Sequence, residues 1–297
     1  MRKRRSNAPA RRAAVAKSRS RTVRRPVRRT RGRARRVSAV RRLARATRRM
    51  LRGVWRLPVP FRVLVGLILL LTAWAGINLA YQVLRKPTEL FFPVSGVLAK
   101  QPPETWRTYA PLFTEHSTAV ITPELLAALA QVESSGNPVA RTYWRWRLTQ
   151  NPLEVYQPAS SAVGMYQITD ATFREAKRYC IHDHVVVEDG RWDDLHSCWF
   201  NSLYTRVLPS HAVELTAAML DRAVVRTLAG QGLATATPQQ QQDLAAVIHL
   251  CGGGAGAVFA RRGFRVTAGQ QCGDHDVRAY LARVNALKRQ FARLAAG

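Results

Sequence analysis

Acidic residues are absent from the first 62 positions of this 297-residue chain. The same stretch contains 25 of the 47 lysine and arginine residues, so most of the net charge of +29 lies there and only about +4 remains for the rest. A segment with charge of one sign and few apolar residues repels itself and cannot bury a core. This excludes a folded N-terminal domain. We predict a disordered basic tail over residues 1–62, in which 40–55 could form an amphipathic helix on an anionic membrane surface.

Charged residues are also absent from positions 63–84. These 22 residues would form a helix about 33 Å long, which matches a hydrocarbon core of about 30 Å. We therefore predict a transmembrane helix over 63–84, with Asn78 and Gln82 in its last turns near the interface. Two alternatives stay open, a buried core helix and a secretory signal that is cleaved after an Ala-Trp-Ala segment at 73–75.

Basic residues are few directly after this segment, where only Arg85 and Lys86 follow. The positive-inside rule then places the tail in the cytoplasm, a single crossing in the inner membrane and the remaining residues in the periplasm. We expect the tail to attach to anionic lipid. Nucleic acid is the other polyanion that such a tail could bind. Aromatic side chains for base stacking are almost missing, with Trp55 the only one before Phe61, so we do not expect nucleic acid as a partner.

Cysteine is scarce, and all four residues follow the predicted transmembrane helix. An oxidising periplasm permits disulfides, and four cysteines allow three pairings. We favour the local pairing of Cys180 with Cys198 and Cys251 with Cys272, because each bond would then close a loop of about 20 residues and contribute about 3 kcal/mol. The alternative is a zinc site made by Cys180, Cys198 and nearby histidines, which are His182, His184 and His196. We expect disulfides and no metal.

Prolines cluster at positions 87, 93, 102 and 103, and such a cluster breaks regular elements. We predict an irregular linker over 85–104, followed by a domain over 105–297. Threonine followed by proline, at 122–123 and again at 237–238, is typical of a helix start. Gln240 stands where a capping box needs it.

Helical periodicity dominates the predicted domain. The helix that starts at 237–238 places one apolar face at the spacing i, i+3, i+4, i+7, formed by Leu244, Val247, Ile248 and Cys251, before a glycine run at 252–254. Similar periodicity predicts helices over 209–229 and 275–295, and only short pieces such as 184–187 look extended. The domain is therefore predicted to be mainly α.

One carboxylic acid, Glu133, lies on the apolar face of its predicted helix. It follows Leu126 by seven residues and Leu129 by four, so the three side chains share a face. A carboxyl group in apolar surroundings is costly to ionise. A carboxyl that keeps its proton can act as a general acid toward a glycosidic oxygen. The alternative is that Glu133 belongs to the exposed end of the helix, where Gly136 supplies the stop.

Two motifs around this acid resemble the soluble-lytic-transglycosylase family, relatives of goose-type lysozyme. The sequence Glu-Ser-Ser-Gly at 133–136 is similar to the family's Glu-Ser motif, and Gly-Met-Tyr-Gln at 164–167 is similar to its Gly-Leu-Met-Gln turn. A third block, Asp276–Val284, resembles the segment in which the family carries a tyrosine beside the acid, here Tyr280. The resemblance covers roughly 115–295. It implies a mainly α, lysozyme-like domain behind the transmembrane helix.

The resemblance implies a reaction with a single carboxylate, on the glycan strands of peptidoglycan and without a cofactor. Glu133 would protonate the oxygen between N-acetylmuramic acid and N-acetylglucosamine, then accept a proton from the muramic acid 6-hydroxyl as a 1,6-anhydro ring closes. Ordinary glycosidases require a second carboxylate. Asp170 and Glu175 are near in sequence, but we interpret both as solvated residues at a helix start. Glu214 is interpreted as a helix-surface or cleft-lining acid.

The same motifs imply the residues that bind substrate. Ser134 would support Glu133, and the side chains of the turn would position sugar groups. One block departs from the family, which usually shows Ala-Tyr-Asn-Ala-Gly, because here His249 and Leu250 replace the tyrosine and the asparagine. The candidate substrate-binding residues are Ser134, Gly164, Met165, Tyr166, Gln167, His249 and Tyr280.

A dense aromatic segment, Tyr143–Trp146, lies between the two motifs. Its rings could stack on sugar faces or pack beneath a loop, and the sequence favours neither. For the whole chain we favour a membrane-anchored lytic transglycosylase. The alternatives are a hydrolytic muramidase on the same fold, and a weakly catalytic peptidoglycan-binding component of an envelope-spanning conjugation or secretion machine.

Overall fold

The computed structural model describes residues 53–55, 58–191, 193–194, 197–233 and 235–297. Helices dominate this part of the chain, as the sequence predicted. The α-helices are α1 (Val59–Arg85), α2 (Phe92–Ser95), α3 (Pro102–Glu115), α4 (Pro123–Ser134), α5 (Asp170–Ala176), α6 (Pro209–Gly230), α7 (Pro238–Cys251), α8 (Gly253–Arg261) and α9 (Val277–Ala296). Short 3₁₀ turns occupy Pro87–Phe91, Gly96–Leu98 and Trp199–Leu203.

Strands occur in the described residues as small antiparallel hairpins. These are β1 (Trp144–Trp146) with β2 (Tyr156–Pro158), β3 (Tyr179–His182) with β4 (Val185–Glu188), and β5 (Gln271–Cys272) with β6 (His275–Asp276). The sequence predicted only one of these strands, β4, and placed it one residue early. A hairpin of two to four residues per strand has too few alternating positions to stand out against helical periodicity.

Helix α1 is long and apolar enough to cross a membrane. The chain divides into two compact units after Leu71, so α1 contributes to both. In the first unit its leucines, such as Leu69 and Leu70, are exposed. In the second unit the polar residues Asn78 and Gln82 are buried. Most of the predicted basic tail lies outside the described residues, including the amphipathic stretch expected before Gly53.

The segment after α1 packs on the domain. Lys86 Nζ donates hydrogen bonds to the backbone oxygens of Ser160, at 3.2 Å, and Ala162, at 2.9 Å. Glu89 is buried and accepts hydrogen bonds from the Arg141 guanidinium at 3.1 Å and from Trp144 Nε1 at 2.9 Å. A buried carboxylate is tolerable only with such partners. These contacts fix the segment directly to the chain that leads into residues 164–167.

The expectation that prolines keep this segment irregular is wrong. Pro87 begins a 3₁₀ turn, Pro93 lies in the first turn of α2 and Pro102 begins α3. Proline is compatible with these positions because the first N–H groups of a helix have no partner within it. Likewise, the glycine run at 252–254 ends α7 but does not stop helical structure, since α8 begins at Gly253.

Helix α4 is the centre of the core. All of its residues from Leu125 to Ala130 are fully buried, and α3 and α9 pack against it. The sequence predicted an amphipathic helix here, and that description is wrong, because a helix surrounded on every side is apolar on every side. Its start is as predicted, since Thr122 Oγ1 accepts a hydrogen bond from the Leu125 N–H. At its C-terminal end α4 reaches the edge of the core, where Val132, Glu133 and Ser134 are half-buried.

Candidate active site

Glu133 lies in the last turn of α4, where the central helix emerges from the core. Its side chain is 17% exposed. Ser135 ends the helix in the left-handed conformation, with φ of 55°, and Gly136 follows with φ of 65°. A Cβ on Gly136 would come within 2.5 Å of Thr105 Oγ1, so glycine is needed there both for conformation and for space. The sharp turn leaves the carboxyl of Glu133 at the edge of the core, partly covered and partly accessible.

Ser134 joins the end of α4 to the Gly-Met-Tyr-Gln turn. Its hydroxyl donates a hydrogen bond to the Met165 backbone oxygen at 2.8 Å and accepts one from the Asn137 N–H at 3.1 Å. The Glu-Ser-Ser-Gly motif and the Gly-Met-Tyr-Gln turn therefore meet through a side chain adjacent to Glu133. The supporting role of Ser134 toward Glu133 stays a prediction.

The turn at 164–167 depends on its first and last residues. Gly164 has φ of 81°, and a Cβ there would lie 2.3 Å from the Arg206 backbone oxygen, so a side chain cannot be accommodated without a shift of the backbone. Gln167 has φ of 48°, and its side-chain amide donates to the Gly164 oxygen at 2.9 Å. Both residues hold the turn in shape.

The two middle residues of the turn, Met165 and Tyr166, are fully buried. Their side chains belong to the core, and the expectation that Tyr166 contacts a sugar is therefore not supported. Burial raises the pKa of Tyr166 well above its ordinary value, and its hydroxyl has no hydrogen-bond partner among the described residues. Its ring packs edge-on against His249, with ring centroids 6.5 Å apart. Tyr166 thus contributes to the site by supporting His249.

Two side chains from distant parts of the chain reach Glu133. The Tyr280 hydroxyl, from α9, donates a hydrogen bond of 2.6 Å to Oε1 of Glu133. His249, in the last turn of α7, has its Nε2 3.6 Å from the same oxygen. Burial raises the pKa of Tyr280 well above its ordinary value, and the charge of Glu133 raises it further. Tyr280 therefore remains a neutral hydrogen-bond donor to the carboxylate.

A cavity of about 600 Å³ shares His249 with this group, although neither Glu133 nor Tyr280 lines it. Gln167 and His249 form part of its wall, and further residues come from α5, α6, α7 and α8. Glu175 and Arg226 also line it and form a salt bridge of 2.9 Å with each other. The cavity is lined by both apolar and polar residues, as small-molecule pockets commonly are.

The other acids considered from the sequence are engaged elsewhere. Asp170 lies in the first turn of α5, as predicted, and pairs with Arg206 at 2.7 Å. Glu214 is buried in α6, where one oxygen accepts a hydrogen bond from Tyr204 at 2.7 Å and the other from the Ile181 N–H at 3.1 Å. It therefore differs from the exposed or cleft-lining acid that was expected. The groups found at Glu133 among the described residues are a tyrosine and a histidine.

The four cysteines form the two local disulfides favoured from the sequence, Cys180–Cys198 and Cys251–Cys272. The first bond removes both thiolates from the alternative zinc site. His184 instead contacts Ser117 through its Nδ1, 2.9 Å from the backbone oxygen, and His196 lies outside the described residues.

The aromatic segment 143–146 contacts the second-unit part of α1 and the residues that follow it. Trp146 stacks on Trp74, with ring centroids 6.2 Å apart, and Trp144 donates to Glu89. No local signal predicts this contact, because Trp144 and Glu89 are 55 residues apart and Trp74 and Pro152 are 78 residues apart. His249 is one of the candidate binding residues predicted from the sequence, but its position beside Glu133 is evident only from the fold.

Comparison with known proteins identifies a family for part of the chain. Residues 112–227 match the family model described as the transglycosylase SLT domain. The matched region contains Glu133 and the turn at 164–167, whereas His249 and Tyr280 lie beyond it. A search of curated protein sequences found no match to the chain.

Proposed function

Since the chain belongs to the transglycosylase SLT family through residues 112–227, which implies lytic transglycosylase activity on peptidoglycan, we propose that Glu133 is its single general acid and base. The observation that carries the proposal is the arrangement at the end of α4. One carboxylate oxygen is held by Tyr280 at 2.6 Å, while the side chain keeps 17% of its surface accessible.

In the first step Glu133 donates its proton to the glycosidic oxygen between N-acetylmuramic acid and N-acetylglucosamine. The bond from that oxygen to C1 of the muramic acid breaks, and N-acetylglucosamine leaves as an alcohol. In the second step the Glu133 carboxylate removes the proton from the 6-hydroxyl of the same muramic acid. The O6 atom attacks C1 and closes the 1,6-anhydro ring, so Glu133 regains its proton and no water is consumed.

Tyr280 and His249 support these steps without exchanging the proton. The Tyr280 hydrogen bond occupies Oε1, which orients the carboxyl and leaves Oε2 to face the substrate. It also stabilises the carboxylate formed after the first step, because a hydrogen bond to a charged acceptor is stronger than one to a neutral acceptor. The imidazole of His249, 3.6 Å from Oε1, limits the movement of the carboxyl on the other side.

A single-carboxylate mechanism agrees with the surroundings of Glu133. A hydrolase that follows the usual two-carboxylate scheme would need a second acid across the scissile bond. The neighbouring candidates Asp170 and Glu175 are engaged with Arg206 and Arg226. Glu214 has both oxygens occupied by hydrogen bonds. These pairings favour transglycosylation over hydrolysis by the same site.

The proposed location follows from α1 and the charge distribution. Helix α1 suggests membrane anchoring, and the basic tail would lie in the cytoplasm while the SLT domain lies in the periplasm. Protease added to spheroplasts should then digest the domain and spare the tail. Release of a soluble domain that begins at Gly76 would instead indicate signal cleavage.

Digestion of purified sacculi by the full-length chain in detergent tests the reaction. We expect muropeptides with 1,6-anhydromuramic ends, identified by mass spectrometry, and none from the Glu133→Gln variant. Reducing muramic acid ends would show a hydrolytic muramidase. Binding to sacculi with no soluble product from the unmodified chain would show a scaffold or binding protein and contradict the proposal.

A further inference from the structure

Side chains of α1 donate hydrogen bonds to backbone oxygens in the tip and second strand of the β1–β2 hairpin. Trp74 Nε1 donates to the Pro152 oxygen at 3.0 Å. Asn78 Nδ2 donates to the Tyr156 oxygen at 2.8 Å, and Gln82 Nε2 donates to the Leu153 oxygen at 2.7 Å. Three side chains at a spacing of four residues therefore satisfy three carbonyl groups of one hairpin.

Hydrogen bonds of this kind are required by non-helical backbone that lies beside lipid. In a bilayer every backbone polar group requires a partner from protein, because the lipid chains offer none. The amides of Asn78 and Gln82, which would be costly on a lipid-facing helix, are buried by the same contacts. The contact therefore pairs the side-chain N–H groups of α1 with carbonyl groups of the hairpin, whereas Asn78 Oδ1 is buried without a hydrogen-bond partner among the described residues.

The same stretch of α1 also has an open apolar face. Ile77 and Leu84 are largely exposed at the level at which the hairpin contacts Asn78 and Gln82. An exposed apolar helix face of this length needs lipid around it if α1 is a membrane helix. Between Trp74 and Gln82 the hairpin follows α1 for about 12 Å. The hairpin thus lies beside a part of α1 that lipid would also contact.

The outer surface of the hairpin has the composition of a membrane interface. Trp146 is 68% exposed and Leu148, at the start of the tip, is fully exposed. Arg145 and Arg147 alternate with them and are exposed as well. Tryptophan is enriched at the boundary between lipid and water, and arginine is attracted to an anionic lipid surface.

We propose that the β1–β2 hairpin is a lipid-binding element that lies in the interfacial layer of the bilayer beside α1. Trp146 and Leu148 contact the upper part of the acyl chains, and Arg145 and Arg147 bind the phosphate groups of anionic phospholipids. The inference rests on the proposed membrane anchoring by α1 and is separate from the catalytic role of Glu133.

The hairpin is less suited to hold a glycan. A sugar stacks on an open ring face, but Trp146 already has Tyr156 at 4.7 Å and Trp74 at 6.2 Å between ring centroids. Trp144 is engaged through its N–H with the buried Glu89. Trp74, moreover, lies within the apolar helix itself. These contacts favour lipid over peptidoglycan as the partner of the hairpin.

Depth-dependent fluorescence quenching tests the proposal on the full-length chain in phosphatidylglycerol-containing nanodiscs. The four native cysteines are all in disulfides, so Leu148→Cys provides a single site for an environment-sensitive dye. Lipids with a quencher high on the acyl chain should reduce its emission by about half or more, because interfacial side chains insert about 5–10 Å. Val185→Cys, exposed on β4, is the matched control and should not be quenched.

A second label at Leu70→Cys reports on α1 itself. Quenching at position 70 without quenching at 148 would overturn the hairpin proposal while the membrane anchor stands. Absence of quenching at both positions would reject the anchor and, with it, the lipid-bound hairpin. A change in the Leu148→Cys signal on addition of peptidoglycan fragments, and none with the lipid quencher, would assign the hairpin to glycan binding.

Discussion

Two acids on buried helices of the domain, Glu133 and Glu214, differ in how their oxygens are used. Glu214 has a hydrogen bond on each oxygen, from Tyr204 and from the Ile181 N–H. Glu133 has one oxygen held by Tyr280, and the described contacts leave Oε2 for an incoming group. A fully bonded buried acid stabilises the fold, whereas a half-bonded acid at the edge of the core is suited to chemistry. Location on a buried helix alone does not distinguish the two.

The largest effect should come from Glu133→Gln. The amide keeps the shape of the side chain but cannot donate and recover a proton, and general acid–base catalysis contributes about 10² to 10⁴-fold. We expect at least about 99% loss of muropeptide release with unchanged folding by circular dichroism. A variant with near-normal activity would show that another group supplies the proton.

Tyr280→Phe should reduce activity less, by about tenfold, because it removes one hydrogen bond to a charged group while the acid remains. The loss should appear in kcat and shift the pH profile, since Tyr280 acts on the acid and not on substrate binding. An unchanged pH profile with a raised KM would indicate a substrate contact instead. A loss as large as that of Glu133→Gln would mean that Tyr280 takes part in proton transfer.

Glu214→Gln is the matched control for Glu133→Gln. It should lower stability and leave activity nearly unchanged. It disturbs two buried hydrogen bonds, so we expect a loss of about 1–2 kcal/mol in the free energy of unfolding, with activity within about twofold of the unmodified chain. Urea unfolding and sacculus digestion measure the two effects. If Glu214→Gln abolished activity in a folded protein while Glu133→Gln did not, the assignment of the catalytic acid would be wrong.

Alkaline pH should affect stability through the buried tyrosines. The pKa values of Tyr280 and Tyr166 are raised in the folded chain, whereas in the unfolded chain tyrosine ionises near pH 10. Stability gained from the neutral side chains is complete below about pH 10 and declines above it, by up to about 1.4 kcal/mol per pH unit for each tyrosine. Urea titrations at rising pH should show a shallower decline for Tyr280→Phe. An identical decline in that variant would contradict the raised pKa of Tyr280. The control is Tyr143→Phe, which changes an exposed tyrosine directly before β1.

The smallest effect is expected for His249→Tyr, which introduces the residue that the family usually carries there. If His249 only limits the movement of Glu133, a tyrosine can do the same, and activity should stay within about threefold. A loss beyond tenfold in both His249→Tyr and His249→Gln would show that the imidazole itself transfers a proton.

Local signals allowed much of the fold to be predicted. The helix starts at Thr122 and Thr237 are governed by residues within one turn, and the capping box at Gln240 is present. The disulfide partners are close in sequence and pair as favoured. The burial of α4 on every side was not predicted, because Ala127 and Ala128 are small enough to fit either a core or a surface. Periodicity distinguishes faces only where the residue types differ between them.

The surroundings of Glu133 could be predicted only in part. The resemblance to the SLT family identified Tyr280, which the structure places at the acid. It also suggested a sugar contact for Tyr166, which is buried instead. The pairing of α1 with the hairpin was missed, since nothing local in Asn78 or Gln82 indicates which distant carbonyl each will meet. Such contacts depend on how helices and hairpins are arranged in space, and that arrangement cannot be predicted from local patterns in a single sequence.

The Cys251–Cys272 disulfide links the end of α7 to the chain just before α9. These two helices carry His249 and Tyr280, so one covalent bond joins the supports of both neighbours of Glu133. In the proposed topology the thiols are reduced before export and oxidised after it. We expect the acid to acquire its full set of supports only after export, so that the enzyme becomes fully active only in the compartment that holds its substrate. Incubation with dithiothreitol should then lower lytic activity reversibly, and the Cys251→Ser/Cys272→Ser variant should have the lower activity without responding to the reductant.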